Sequence, residues 1–282
     1  SIGRGARLAG AELVQTTSLA GVKHRLAGGN VSLIVITGVS SELEILDQDL
    51  LLQVVELGRS RGIPVLLDDA YGARLRPIVF GGLRTMETGV DVGVTAFGKA
   101  ALGGPRAGLM AGNANLMARI VTKAAELGLE ARPPLALGMW ASLRQFDPVH
   151  LEREVEMGSA IYEGLSQRFG AHRVIRSALG ASMPTEEVWE LLQSASGEGL
   201  PIVPAEATAG IGLYWLEHHG IISVNALGQP GGSIWLRFKP NPVEVERFGG
   251  IAALVETVDK GLNYVAQRAY SIPEMRRLIL GE

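Results

Sequence analysis

The sequence has no cysteine among its 282 residues. That absence removes disulfides, thiolate metal sites and a cysteine nucleophile together. Aromatic residues are scarce, at 5 %, so a base-stacking surface is not expected. Neither sign of charge dominates: 26 Lys and Arg stand against 29 Asp and Glu, for a formal net charge of −3. Such a balance gives no electrostatic reason to expect nucleic acid as a partner. Long apolar runs are missing too. Stretches such as Val31–Val39 fall short of the roughly 20 residues a bilayer span needs, and no signal peptide precedes them. A soluble, cytoplasmic chain with no membrane partner is expected. His24, His150, His172, His218 and His219 show no partners at metal-ligand spacing, so no metal is expected. His218-His219 is placed at the end of a helix, where it complements the terminal carbonyls. The acidic residues of Glu152–Glu156 read as a solvated helix face, and no G-x-S-x-G element occurs.

What is present is ordinary for a globular enzyme: 47 % apolar and 20 % charged residues, enough to bury a core without covalent staples. Glycine, at 37 residues, punctuates segments of alternating type. Ala11–Val14 and Ser32–Thr37 are short β-branched runs and are predicted as strands. Asp47–Gly62 carries Leu50, Leu51, Val54, Val55 and Leu57 at helical spacing, with Gly62 placed to stop the helix. Ile63–Leu67, Val90–Ala96 and Ala107–Ala111 follow as strands and Ala114–Leu127 as a helix. Near-continuous apolar strands alternating with helices predict an α/β fold with a mostly parallel sheet covered on both faces. In such sheets the ligand lies beyond the carboxyl ends of the strands.

After Arg132-Pro133-Pro134 the texture changes. Leu135–Phe169 reads as a long helix broken near Asp147-Pro148. His172–Ile175, Ile221–Val224 and Ser233–Phe238 read as strands of a small C-terminal α+β unit, with Val243–Arg268 as its covering helix. The expected domains are therefore residues 1–133 and 134–282.

Two constellations carry chemistry. Asp68-Asp69-Ala70-Tyr71-Gly72 ends a strand. A strand-end carboxylate is rigidly held and suits the pyridine nitrogen of pyridoxal 5′-phosphate (PLP), whose protonated ring acts as an electron sink. Tyr71 can bond the ring's phenolic oxygen. The plain alternative is an Asp pair that satisfies a turn. Thr95-Ala96-Phe97-Gly98-Lys99-Ala100 follows the next strand. Lys99 there can form a Schiff base with an aldehyde cofactor once its amine is desolvated, and Thr95 can offer a hydroxyl to the cofactor phosphate. Its plain alternative is a solvated loop lysine. The chain has only five lysines, and Lys23, Lys123, Lys239 and Lys260 fall on expected helices or in the small unit.

Asp68-x-Ala70-Tyr71-Gly72 resembles the strand-end signature of fold-type I PLP enzymes, with Asp68, Ala70 and Tyr71 as cofactor contacts. Phe97-Gly98-Lys99-Ala100 resembles the lysine loop of their α-oxoamine-synthase branch. Leu102-Gly103-Gly104-Pro105-Arg106-Ala107-Gly108-Leu109-Met110-Ala111-Gly112 is similar to bacterial selenocysteine synthase (L-seryl-tRNA selenium transferase) and its smaller archaeal PLP relatives. Glu130-Ala131-Arg132-Pro133-Pro134 fits the same group. The resemblance implies an aspartate-aminotransferase-like large domain, PLP on Lys99, Asp68 at its ring nitrogen, and an active site shared across a homodimer or higher homo-oligomer. It implies an amino-acid-like small-molecule substrate whose carboxylate meets Arg237, in Trp235-Leu236-Arg237-Phe238, and a transferase or lyase reaction tilted toward β-elimination or β-replacement. Against the family pattern, Lys99–Gly104 is one residue longer. The N-terminal phosphate-binding turn and ring-stacking group are not found before Ala11, so the chain is expected to begin inside the large domain. No tRNA-binding extension like that of the bacterial synthase is expected, which argues against tRNA as substrate.

Two other functions use the same residues. Gly93-Val94-Thr95-Ala96-Phe97-Gly98-Lys99 satisfies G-x-x-x-x-G-K, but Ala100 replaces the magnesium-binding hydroxyl and the intervening residues are strand formers. A PLP-fold protein that has lost catalysis and acts as a binding or structural partner is the other alternative.

Overall fold

The computed structural model describes residues 2–40, 43–197, 199–221, 235–239 and 241–281. The chain divides into two compact units, one of Ser1–Ser40 with Glu44–Glu152, the other of Ser41–Leu43 with Arg153–Glu282. The division thus falls inside a helix, 19 residues beyond the 133/134 junction expected from Pro133-Pro134.

In the first unit, α1 (Ile2–Leu8) and α2 (Leu19–Ala27) precede β1 (Ile34–Thr37). Then come α3 (Gln48–Ser60), β2 (Val65–Asp68), α4 (Gly72–Val79), β3 (Val92–Ala96) and β4 (Gly108–Gly112). Helices α5 (Ala114–Glu126) and α6 (Pro133–Arg144) follow, and α7 (Pro148–Phe169) carries the chain into the second unit. The sheet order is β1-β2-β3-β4. The first three strands run parallel, with Thr37 beside Asp68 and Asp68 beside Val94, while β4 returns antiparallel along β3. The expected mostly parallel α/β sheet is present.

Helix α3 shows how sequence makes this layer. Asp47 caps it by accepting from the Leu50 N–H at 2.9 Å, and Leu51, Val54 and Val55 lie one turn apart on the buried face. They meet Ile36, Val65, Leu67 and Val90 in one core, each full burial stabilising by about 1.5–3 kcal/mol. Gly58 lets the helix approach: a Cβ there would run into Val65 Cγ2.

Ala11–Val14 is not a strand. Among the described residues β1 pairs only with β2, so this segment has no ladder to join and stays exposed. The helix expected over Leu135–Phe169 is two, parted before Pro148 as the sequence indicated.

In the second unit β5 (Ile175–Ser177), β6 (Gly180–Met183) and β7 (Leu236–Phe238) form an antiparallel sheet in that order. Its helices are α8 (Thr185–Ser196), α9 (Pro204–His219), α10 (Pro242–Phe248), α11 (Gly250–Ala266) and α12 (Ile272–Leu280). The His172–Ile175 strand begins later than expected, because Ala171–Arg173 is a 3₁₀ turn. The Val243–Arg268 helix is broken at Gly249 and Gly250, both left-handed with φ of 108° and 84°. Of Ile221–Val224 only Ile221 is described, outside any strand, and residues 233–234 of Ser233–Phe238 lie outside the described residues. Helix α9 does end at His218-His219, closed by left-handed Gly220. No helix among the described residues is long and apolar enough to cross a membrane.

Candidate active site

Asp68 is the last residue of β2, half-buried between Thr37 and Val94 on the flanking strands. Its Oδ1 accepts from the Ala70 N–H at 3.3 Å. Strand alternation turns its neighbour the other way. Asp69 is fully buried, where Oδ1 and Oδ2 accept from Arg76 Nη2 and Nη1 at 2.7 and 3.1 Å. The Thr85 hydroxyl adds a third bond at 2.7 Å. Gly38 and Gly72 leave the room, since a Cβ on either would strike the Asp69 carboxylate. The two adjacent aspartates therefore divide the work: Asp69 is a structural anchor under the strand end, and Asp68 is the one left half-open.

Lys99 lies in the turn after β3, half-buried. Its Nζ stands 4.6 Å from the centroid of the Tyr71 ring, a cation–π distance. The loop is closed by Phe97 N–H to Ala107 O and Gly104 N–H to Phe97 O, each 2.9 Å, and seated by Phe97, 1 % exposed. Ala100 and Ala101 are both left-handed, with φ of 50° and 60°. These two alanines sit in the Lys99–Gly104 stretch that the resemblance leads one to expect is one residue longer than in the family.

Of the expected site residues, Asp68, Ala70, Tyr71, Thr95 and Lys99 all fall at the carboxyl ends of adjacent parallel strands in the first unit. Thr95 Oγ1 accepts from Arg74 Nη1 at 3.1 Å. Arg237 lies on β7 of the second unit, half-buried and in register with Ser182. The G-x-x-x-x-G-K match is not a phosphate cradle. Gly93–Ala96 lie within β3, a Cβ on Gly93 would meet Thr85, and the chain after Lys99 enters β4 rather than a helix. Among the described residues no cluster of three His, Cys, Asp or Glu could hold a metal.

Arg74 was not anticipated. It lies in the first turn of α4, where a cation opposes the helix dipole. That misfit is the signal by which the sequence could have flagged it.

No family model matches the chain. A UPF0425 pyridoxal phosphate-dependent protein of Methanothermobacter thermautotrophicus is 34 % identical over 252 residues, covering 89 % of this chain and 64 % of that protein. The chain resembles the UPF0425 pyridoxal phosphate-dependent proteins. It spans just under two thirds of the length of that relative. Among solved structures, the SepCysS–SepCysE N-terminal domain complex matches with TM-score 0.56 at 16 % identity, over 86 % of this chain and 62 % of that one. A cystathione gamma lyase from Micromonospora echinospora matches with TM-score 0.54 at 15 % identity, over 89 % and 69 %. At these identities the likeness establishes the fold, which is the aminotransferase-like α/β fold expected from the sequence.

Proposed function

We propose that the chain is a PLP-dependent transferase or lyase acting on an amino-acid-like substrate, with Lys99 as the amine that carries the cofactor. The observation that supports it most is the meeting of Lys99 and Tyr71 beside Asp68, on the carboxyl ends of adjacent parallel strands. The name carried by its UPF0425 relatives points the same way. The residues fit the group: a half-open carboxylate for a ring nitrogen, a primary amine for an aldehyde, and a phenol whose ring lies against that amine. When bound, PLP supplies an electron sink for charge developing at the substrate's α-carbon.

This chain's own residues do the remaining work. Asp68 keeps the proton at the pyridine nitrogen, and the Ala70 N–H fixes its carboxylate. The Tyr71 hydroxyl addresses the ring's phenolic oxygen. Thr95, whose oxygen already accepts from Arg74, retains its own proton for a phosphate oxygen. A planar, bidentate donor such as Arg237 has the chemistry to take a substrate carboxylate. The selenocysteine-synthase likeness favours elimination or replacement at the β-carbon, in a cytoplasmic homodimer or higher homo-oligomer.

The test is to add PLP to the purified protein, reduce with borohydride and map the modified peptide, beside Lys99→Ala. A visible band that borohydride bleaches, leaving the cofactor fixed on the Lys99 peptide, together with release of a β-substituent from candidate amino acids by the unreduced protein, supports the proposal. A fixed cofactor without turnover of any amino acid would favour the non-catalytic alternative. A band that survives Lys99→Ala would refute the choice of lysine.

A further inference from the structure

We propose that Arg74 is the positioning residue for Lys99. Its guanidinium holds the loop that carries the lysine in a conformation the loop would not keep alone. The inference rests on Lys99 being the cofactor-bearing amine.

The geometry is specific. Arg74 Nε donates to Ala100 O at 3.0 Å, and Nη1 to Thr95 Oγ1 at 3.1 Å. Nη2 reaches Ala96 O at 2.8 Å, Lys99 O at 2.9 Å and, in a longer shared contact, Ala70 O at 3.3 Å. One side chain thus ties the end of β3, both sides of Lys99 and the segment after Asp68 to the first turn of α4. Every nitrogen of the guanidinium is used. A planar, always-charged fork can do this; the ammonium of lysine, with three donors on one atom, cannot span those carbonyls.

Two further observations say why the loop needs holding. Ala100 and Ala101 are successive left-handed residues without being glycine, a conformation L-residues avoid because Cβ crowds the following carbonyl. Such backbone persists only where its surroundings over-determine it. Arg74 bonds the carbonyls of Lys99 and Ala100, in the peptide groups before and after Ala100, where the left-handed pair begins. The second observation is placement. A cation in the first turn of a helix works against the macrodipole, so Arg74 serves α4 itself poorly and serves the neighbouring loop well. Lys99 emerges from this clamp with its Nζ over the Tyr71 ring. Misplacement by about 1 Å can lower a reaction rate roughly a hundredfold, so the clamp is worth its cost to the helix.

The experiment compares wild type, Arg74→Lys and Arg74→Gln with two readouts. The first is amide exchange in protein free of cofactor, read at Leu102 and Gly104, which bond Lys99 O and Phe97 O, against the amides of β2. The expected result is exchange at these two amides faster by about tenfold or more, with β2 unchanged, because only the loop is released. The second is the rate at which borohydride fixes added PLP on Lys99, expected to fall by about tenfold or more in Arg74→Gln and less in Arg74→Lys. Wild-type exchange and attachment in Arg74→Gln overturn the proposal. So does exchange that quickens equally in β2, which would make Arg74 a general stabiliser. If Arg74→Gln does not fold, Arg74→Lys is held to the same two readouts, and wild-type values in both overturn the proposal. If wild type itself takes no borohydride-fixed group at Lys99, the cofactor assignment fails, and loop exchange still decides whether Arg74 holds the loop.

Discussion

Replacing Asp69 with Ala tests the division of labour between the two adjacent aspartates. The side chains of Asp69 and Arg76 are 0 % and 3 % exposed, and they meet through two bonds of 2.7 and 3.1 Å. Removing the carboxylate leaves a guanidinium shut away from water, with the Leu83 carbonyl at 3.5 Å as the remaining described acceptor for Nη1. It also frees the Thr85 hydroxyl, which gives 2.7 Å to Asp69. Breaking a buried pair in this one-sided way costs about 3–5 kcal/mol. That corresponds to roughly two to nearly four powers of ten in the opening equilibrium of the first unit. The assay is amide exchange in β2 and β3 rather than a single melting curve, because two compact units need not unfold together. The Asp69 N–H, which bonds Val94 O at 2.8 Å, is a direct reporter in an Asp69→Asn variant, where a smaller loss in the same direction is expected. Replacing both partners, as Asp69→Leu with Arg76→Met, should recover most of the loss, since the penalty lies in the orphaned charge. A loss below about 1 kcal/mol in Asp69→Ala, the scale of solvent-exposed pairs, would show that water reaches this pair and would refute the argument.

Phe97→Ala should destabilise the first unit by about 3–5 kcal/mol, since the ring is 1 % exposed; amide exchange along β3 measures it. Asn113 caps α5 by accepting from Asn115 and Leu116 N–H groups at 3.0 and 3.3 Å, so Asn113→Ala should cost about 1 kcal/mol and speed exchange in the first turn of that helix alone. Tyr71→Phe keeps the ring face on which Lys99 Nζ rests and removes the hydroxyl, so borohydride should still fix PLP on Lys99 while the visible band shifts. Attachment lost in Tyr71→Phe would assign the hydroxyl, not the ring face, to the seating of the lysine.

The placement of the candidate residues was legible because they ride on strand ends, and strand ends are written plainly in sequence. Apolar runs that stop at Asp68 and before Lys99 place both groups on the carboxyl edge of a parallel sheet, and the structure pairs Asp68 with Val94 on the adjacent strand. What was not legible is how the two loops are joined. Arg74 acts on carbonyls up to 26 residues away, and no local pattern reports a backbone acceptor at that separation. The roles of Asp68 and Asp69 were equally hidden, since a doubled aspartate does not say which member faces the interior. Gly38 and Gly72 hold that information as absent Cβ atoms, from two separate stretches of the chain.

Periodicity has a related limit, visible in α5. Its spacing marks one face as apolar, and the sequence was right that Ala114–Leu127 is a helix. Yet α5 has no buried residue, and Val121 and Leu127 are exposed. In α3 the same kind of stripe is buried under Ile36, Val65 and Leu67. An apolar stripe therefore fixes which side of a helix would gain from cover, while the cover itself comes from strands elsewhere in the chain. The lysine loop obeys the same logic with polar groups. Its left-handed turn at Ala100-Ala101 is tolerable only beside a donor array that another element supplies. Local sequence states a demand, and the fold decides which distant side chain meets it; for Lys99 that side chain is Arg74.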